Sequence, residues 1–149
     1  MATIPLPPDF SEFLRLLNGH EVRYLLVGGY AVGYHGYVRA TADMDIWVDP
    51  EQGNAERLVE VLREFGFGAS DPTPQMFLEE SRVIRMGVPP IRIELLTSVS
   101  GVGFHECYAE RVVEVWDDVS VNIISLSKLK ANKQASGRLK DLSDLEYLE

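Results

Sequence analysis

Cysteine and basic residues are scarce in this chain, and it contains no long apolar run. Cys107 is the only cysteine, so an internal disulfide is excluded and a reducing compartment is expected. No stretch approaches the roughly 20 consecutive apolar residues of a membrane-spanning helix. The first ten residues, MATIPLPPDF, lack the basic flank and the apolar segment of a signal peptide. We therefore expect a cytoplasmic protein without a membrane partner.

Positive charge is in the minority, since 14 Lys and Arg residues against 23 Asp and Glu residues give a formal net charge of −9. Such a surface repels nucleic acids and anionic membranes unless basic side chains gather locally. They gather in one stretch, which holds Lys128, Lys130, Lys133, Arg138 and Lys140. That stretch could bind a polyanion, although a solvated helix face is the more common explanation of such a cluster.

The common zinc and phosphate-loop patterns are also missing. The three histidines are scattered without the spacing of zinc ligands; they are His20, His35 and His105. Gly28 and Gly33 do not form a phosphate loop, because Tyr34 and His35 stand where that loop needs lysine and a hydroxyl residue. The segment GGYAVG does not have the glycine spacing of a dinucleotide-binding fold either.

Helical and strand patterns alternate along the 149 residues, a length suited to one domain with one core. We predict helices ending near 18–19 and 66, a short helix after Gly28, and a helical tail interrupted at Gly137. Strands are predicted at 22–27, around 43–48, at 82–86 and 91–96, with one strand or a strand pair within 112–124. Short turns between adjacent strands exclude an all-parallel sheet. The predicted fold is α/β (or α+β), a single domain over 1–149 with a mixed sheet of about five strands flanked by helices. Its core spans about 20–125 and its helical tail 126–149.

Two aspartates, Asp43 and Asp45, lie one residue apart within an apolar strand pattern. Alternate residues of a strand point to the same face, so Arg39 and Thr41 share the face of both aspartates, opposite Met44. Carboxylates this close repel each other, and a divalent cation between them relieves the repulsion. Magnesium suits such a site because it takes few carboxylates and completes its shell with water and phosphate oxygens. Alone, the segment DMDI is explained more simply by an edge strand with one solvated face.

Two further features point to the same chemistry. Gly28 and Gly29 end one strand and open a helix, where a backbone without side chains can approach a phosphate. A tight strand-to-helix turn is the plainer explanation. Glu94 is a lone carboxylate within the strand pattern IRIELL and could be the third ligand of a two-metal site. A solvated carboxylate on a half-exposed strand explains Glu94 equally well.

The combination of these motifs resembles the DNA polymerase β-like nucleotidyltransferase superfamily. Its pieces are Val27-Gly28-Gly29, then thirteen residues, then Asp43-Met44-Asp45-Ile46, and later Ile93-Glu94-Leu95. They extend over just under half of the chain. The tail KLKANKQASGRLKDLSDL is similar to the lysine-then-Asp-x-x-Asp element of AbiEii-type and related small bacterial nucleotidyltransferases. Lys130 or Lys133, together with Asp141, occupies the matching positions.

The resemblance implies a nucleotidyltransferase fold and a magnesium-dependent reaction. A nucleoside monophosphate would pass from a nucleoside triphosphate such as ATP to an acceptor, with release of pyrophosphate. Asp43, Asp45 and Glu94 would be the catalytic carboxylates and would hold two Mg²⁺ ions, with Mn²⁺ as an alternative ion. The implied nucleotide-binding residues are Gly28, Gly29, Arg39, Thr41, Lys130, Lys133, Arg138 and Asp141.

The acceptor and the biological setting stay open from the sequence. A protein, a tRNA and a small molecule are all candidate acceptors. The resemblance to AbiEii-type proteins also implies a toxin–antitoxin system with a cognate toxin or antitoxin as partner. The alternative is a non-catalytic relative that binds a partner protein, as an antitoxin-type subunit would.

Overall fold

The computed structural model describes residues 6–36, 43–66, 72–88 and 91–148. The helices are α1 (Pro8–Gly19), α2 (Gly28–Tyr34), α3 (Gln52–Phe65), α4 (Phe104–Ala109), α5 (Leu126–Ser136) and α6 (Leu139–Tyr147), with a 3-10 turn at Pro74–Phe77. The strands are β1 (Tyr24–Val27), β2 (Asp43–Val48), β3 (Val83–Val88), β4 (Ile91–Leu96), β5 (Val112–Trp116) and β6 (Val119–Ile123). Within the described ranges, none of the helices combines the length and apolar character needed to cross a membrane.

The strands form one mixed sheet in the order β3-β4-β2-β1-β6-β5. β1 is antiparallel to β2 and parallel to β6, β2 is parallel to β4, and the two outer pairs are antiparallel. This confirms the predicted mixed sheet, with six strands because 112–124 forms a hairpin. Asp117 and Asp118 make its turn with φ values of 50° and 64°, the backbone that a two-residue hairpin loop requires.

The core lies between the sheet and helices α1 and α3. Every residue of β1 is buried, and each of the two helices buries an apolar stripe in the same core. Phe13 of α1 meets Phe65 of α3 edge to face, with ring centroids 5.0 Å apart. α3 ends where the sequence predicts, because Gly66 adopts a left-handed φ of 90°.

A buried asparagine ties together the strand ends that face away from the glycine pair. Asn54, at the start of α3, accepts a hydrogen bond from the Arg23 amide at 2.7 Å. Its amide group donates to the carbonyls of Arg23 at 3.1 Å and Asp49 at 3.0 Å. The Arg23 guanidinium also binds the buried Asp49 carboxylate at 2.8 Å. These bonds hold β1 beside β2 and so help to set the register in which Val27 faces Asp45.

A buried ion cluster joins α5 to α6. The Lys133 ammonium lies 3.0 Å from an Asp141 oxygen and 3.1 Å from an Asp144 oxygen, and all three side chains are almost completely buried. Asp141 also accepts hydrogen bonds from Ser136 at 2.6 Å and Arg138 at 2.9 Å. Burial by itself would raise the pKa of Asp141, but the hydrogen bonds, that of Arg138 first, hold it below its ordinary value. These ion pairs and hydrogen bonds therefore hold α5 and α6 together.

We expect Lys133→Met to destabilise the fold strongly, because it leaves Asp141 and Asp144 buried without their ammonium. The free energy of unfolding at pH 7, measured by urea denaturation, should fall by about 3–5 kcal/mol. The lowered pKa of Asp141 stabilises the fold at pH values above the unfolded pKa of about 4, and this contribution is lost as the pH falls further. The deficit of the variant should therefore shrink in acid.

Lys130→Met is the matched control. Lys130 is half-buried on the same helix and forms no ion pair with any described residue. Its replacement should change the free energy of unfolding by no more than about 0.5 kcal/mol. An equal loss of stability in the two variants would show that the buried cluster does not hold the helices together.

Candidate functional site

Parallel pairing of β2 with β4 places the predicted carboxylates in two adjacent rows. Asp45 stands opposite Glu94, and Asp43 stands opposite Arg92. Met44, between the two aspartates, is fully buried, whereas both aspartates are only partly buried. The alternation read from the sequence therefore turns one face of β2 to the core and the acidic face to a cleft.

Gly28 lies directly against the Asp45 carboxylate. Its φ of 66° is left-handed, and a Cβ atom built on it would overlap the Asp45 side chain. Glycine is thus required here by both the backbone and the contact. α2 begins at this residue and has seven residues. The glycine pair and the first acidic motif, thirteen residues apart in sequence, are one packed unit.

The Asp45 carboxyl has a strongly raised pKa. Its pKa is raised to about 7, first by burial, then by the charge and hydrogen bond of Glu94, and further by the charge of Asp43. The charge of Lys140 acts in the opposite direction. Such a pKa arises where a carboxyl is withdrawn from water first and then set beside other carboxylates.

Two arginines from the sheet balance the other two carboxylates. Arg92 donates a hydrogen bond to Asp43 at 2.9 Å, and Arg85 donates one to Glu94 at 3.0 Å. The sequence analysis missed both arginines, although the alternation of Arg92 and Glu94 along β4 puts them on one face. Each arginine acts as a counter-ion to one carboxylate of the cleft.

Metal binding depends on how these acids are arranged. Across the described part of the chain, no three His, Cys, Asp or Glu side chains are grouped closely enough to hold a metal ion. The donor chemistry nevertheless suits Mg²⁺, which prefers carboxylate oxygens. Asp45 and Glu94 interact directly, so they are the first pair of carboxylates that would hold an ion. Asp43, whose Oδ2 accepts the hydrogen bond from Arg92, would be the third carboxylate of such a site.

The three carboxylates, the glycine pair and Arg85 line one cavity of about 760 Å³, whereas Arg92 is not among the described residues that line it. Its floor is the end of β1, the acidic face of β2 and the neighbouring strands β3 and β4. Its far wall is the α5–α6 hairpin, and a loop after β4 closes one side. The residues that line the cavity include Gly28, Gly29, Asp43, Asp45, Val83, Arg85, Glu94, Leu96, Ser98, Val99, Ser100, Asn132, Lys133, Arg138, Lys140 and Asp141.

The predicted basic residues have different positions relative to this cleft. Lys133 and Arg138 line it, but the Lys133 ammonium is bound to two aspartates in the buried cluster. Lys130 is not among the described residues that line it. Lys140, which the sequence analysis placed only in the basic stretch, faces the cleft and acts on Asp45. The predictions for Arg39 and Thr41 fall outside the described residues.

Comparison with known proteins gives a structural likeness. Neither the protein-family models nor the curated protein sequences give a match. Among solved structures, the lincosamide antibiotic adenylyltransferase LnuA, bound to lincomycin, superposes with a TM-score of 0.62 at 13% identity. The alignment covers 99% of this chain and 98% of that one.

Two other solved structures are similar. A protein assigned as a nucleotidyltransferase from Thermotoga maritima (TM1012) gives a TM-score of 0.59 at 15% identity, with 92% of this chain and 86% of that one covered. An antigenic nucleotidyltransferase-like protein from Paracoccidioides brasiliensis gives 0.54 at 16% identity, with 97% and 78% covered. At such identities the likeness concerns the backbone. The chain therefore has the fold of these solved nucleotidyltransferases and nucleotidyltransferase-like proteins.

Proposed function

We propose that this protein is a magnesium-dependent nucleotidyltransferase, which moves a nucleoside monophosphate from a nucleoside triphosphate to a hydroxyl group of an acceptor. One observation carries the proposal. A single cavity of about 760 Å³ sets the carboxylates of β2 and β4 against Arg138 and Lys140 of the tail. A triphosphate that carries a divalent cation needs both kinds of charge, carboxylates for the ion and basic groups for the outer phosphate oxygens.

In the proposed reaction, the oxygen of the acceptor hydroxyl forms a bond to the α-phosphorus. The bond between that phosphorus and the oxygen leading to the β-phosphate breaks, and pyrophosphate leaves. The hydroxyl proton passes to a carboxylate of the cleft. Asp45, Glu94 and Asp43 would hold the magnesium, which would supply charge neutralisation for the phosphates.

The basic residues of the helical tail have two roles in the proposed reaction. Lys133 stabilises the α5–α6 hairpin from inside through the buried cluster. Arg138 and Lys140, which are exposed on the same hairpin, meet the phosphates. Gly28 and Gly29 present bare backbone to the cleft beside Asp45. Arg39 and Thr41 keep the nucleotide-binding role expected from the sequence.

We propose a small molecule as the acceptor and ATP as the nucleotide. LnuA is an adenylyltransferase bound to lincomycin, and its chain and this one align over almost their whole lengths. A chain of this size therefore has room for a small acceptor beside the nucleotide. The net charge of −9 argues against a tRNA, whose phosphates it would repel.

A second candidate function is a non-catalytic subunit that binds a partner protein, such as the toxin or antitoxin of an AbiEii-like pair. Two observations favour it. Arg92 and Arg85 already neutralise Asp43 and Glu94 without any metal. In addition, α6 exposes apolar side chains at Leu139, Leu142 and Tyr147.

Calorimetric titration with Mg-ATP and Mg-GTP, repeated with EDTA, separates the two candidates. An enzyme of the proposed type binds the nucleotide only when the divalent ion is present. Incubation with labelled ATP, Mg²⁺ and a small-molecule extract should then give a labelled product together with pyrophosphate. Absence of magnesium-dependent nucleotide binding would reject the enzymatic proposal and leave the binding subunit.

Asp45→Asn should separate a functional carboxylate from a structural one. In the metal-free protein at pH 8, the substitution removes a charge that burial and Glu94 disfavour. The free energy of unfolding should then rise by roughly 1–3 kcal/mol, less than the full pKa shift implies because water in the cleft screens the charges. Magnesium-dependent ATP binding should be lost in the same variant.

Asp43→Asn is the comparison for that experiment. Its carboxylate is paired with Arg92, so the substitution should leave stability unchanged or lower it while it also weakens nucleotide binding. If Asp45→Asn unfolds the protein, Asp45 is a structural partner and the catalytic interpretation loses its main support.

Lys140→Gln should weaken Mg-ATP binding without loss of stability. Lys140 is exposed, faces the cleft and forms no ion pair with any described residue. Loss of one charged hydrogen bond to phosphate should cost about 1.5–3 kcal/mol of binding free energy in calorimetry. Lys130→Gln, the same change outside the cleft, should bind Mg-ATP like the unmodified protein. Equal affinities for all three proteins would remove Lys140 from the site.

A further inference from the structure

The cleft changes character beyond the carboxylates. Past Arg85 and Glu94, its lining consists of apolar and hydroxyl side chains, and a second depression of about 340 Å³ opens beside it. The described residues around this depression carry no charge; they are Ser81, Val83, Ser98, Val99 and Ser100. Four of them also line the larger cavity, so the two spaces are adjacent. We call this region the neutral end of the cleft.

The neutral end offers hydrogen-bonding groups that the fold does not use. The Ser98 hydroxyl accepts a hydrogen bond from the Ser81 amide at 3.0 Å but donates none to any described residue. The exposed Ser100 hydroxyl makes no hydrogen bond with any described residue, since only its carbonyl is bound, by Asn132. Val83, which is 43% exposed, provides apolar surface beside them. The surface suits a ligand that is partly polar and partly apolar.

One side of the neutral end is fixed by a buried threonine. The Thr97 hydroxyl donates to the Glu79 carbonyl at 2.7 Å and accepts from the Arg82 amide at 2.9 Å. These bonds close the turn in which Ser81 adopts a φ of 60°. A non-glycine residue in this conformation costs free energy and persists only where surrounding contacts impose it. The position of Ser81 is therefore built into the fold.

The other side is fixed by α5. Asn132 donates a hydrogen bond to the Ser100 carbonyl at 2.9 Å. Gly101, with a φ of 81°, lies so close to Ala135 that a Cβ atom built on it would overlap the alanine side chain. The loop that carries Ser98 and Ser100 is thus held against the same helix that contains Lys133. Both sides of the neutral end are therefore held in place before any ligand binds.

We propose that the neutral end is the acceptor site and that the acceptor is a small uncharged molecule bearing hydroxyl groups on a partly apolar body. This inference rests on the proposed nucleotidyl transfer, in which the triphosphate takes the charged end of the cleft. The volume of about 340 Å³ lies near the lower limit of small-molecule sites, roughly 300–1,000 Å³. The absence of basic side chains among its described lining residues disfavours an anionic acceptor.

Ser100→Phe should close this site. The substitution adds an aromatic ring where the present side chain is exposed and makes no described hydrogen bond. Ser120→Phe is the matched control, because Ser120 is likewise exposed, its carbonyl is bound by Asn18 and Tyr24, and its hydroxyl makes no hydrogen bond with any described residue. Ser120 lies on β6, away from the cleft, so any general effect of an added surface ring appears in both variants.

The binding probes are phenyl β-D-glucoside, methyl α-D-glucoside and myo-inositol, with glucose 6-phosphate as the charged counterpart. Binding is followed by saturation-transfer NMR in the presence of Mg²⁺ and α,β-methylene-ATP, which cannot release its nucleoside monophosphate. We expect at least one uncharged probe to bind the unmodified protein and Ser120→Phe. Its affinity for Ser100→Phe should be at least about tenfold lower. Mg-ATP affinity should stay within about twofold in all three proteins.

The inference is overturned if no uncharged probe binds, if Ser100→Phe binds the probes as well as the control, or if glucose 6-phosphate is preferred. Mg-ATP titration of the unmodified protein tests the proposed function separately. Nucleotide binding without probe binding rejects only the acceptor site. Loss of both rejects the nucleotidyltransferase proposal, and the acceptor site with it.

Discussion

The crowding of the Asp45 carboxylate is the constraint on which the site depends. Glu94 stands directly opposite it in the parallel pair, and Gly28, the first residue of α2, touches it. Only a residue without a side chain permits that approach, and either a nearby cation or protonation of the carboxyl offsets the repulsion. Lys140 supplies part of that offset from the helical tail, and Arg92 neutralises the neighbouring Asp43. The acidic face of the sheet is thus arranged around the unfavourable contact between Asp45 and Glu94.

The basic residues of the helical tail differ in their burial and therefore in their role. Lys133 is enclosed between Asp141 and Asp144. A buried charge has to be paired, because removal of one partner of a buried ion pair costs about 3–5 kcal/mol. Arg138 and Lys140 stay exposed on the same hairpin, so they can exchange water or a neighbour for a ligand. One short basic stretch therefore both stabilises the tail and supplies charge to the cleft.

The cleft also has a gradient of polarity along its length. At one end, acids and bases face each other at the glycine turn. At the other, hydroxyl groups and valines are fixed by the Thr97 bonds and by the packing of Gly101 on α5. A ligand with an ionic and a neutral part would have its orientation set by this gradient, since desolvating an unpaired charge at the neutral end is costly.

The sequence alone was enough to predict the mixed sheet, the acidic face of β2, the turn at Gly28 and the interruption of the tail at Gly137. These features follow from local backbone geometry, namely the two-residue period of strands and the left-handed freedom of glycine. The tertiary structure alone decided the pairing of Arg92 with Asp43, 49 residues away, the burial of Lys133 and the exposure of Lys140 to the cleft. Charge pairing acts through space between neighbouring elements. The periodicity of residues within one helix or strand does not determine the order of the strands or the packing of the helices, so it does not determine which charges meet.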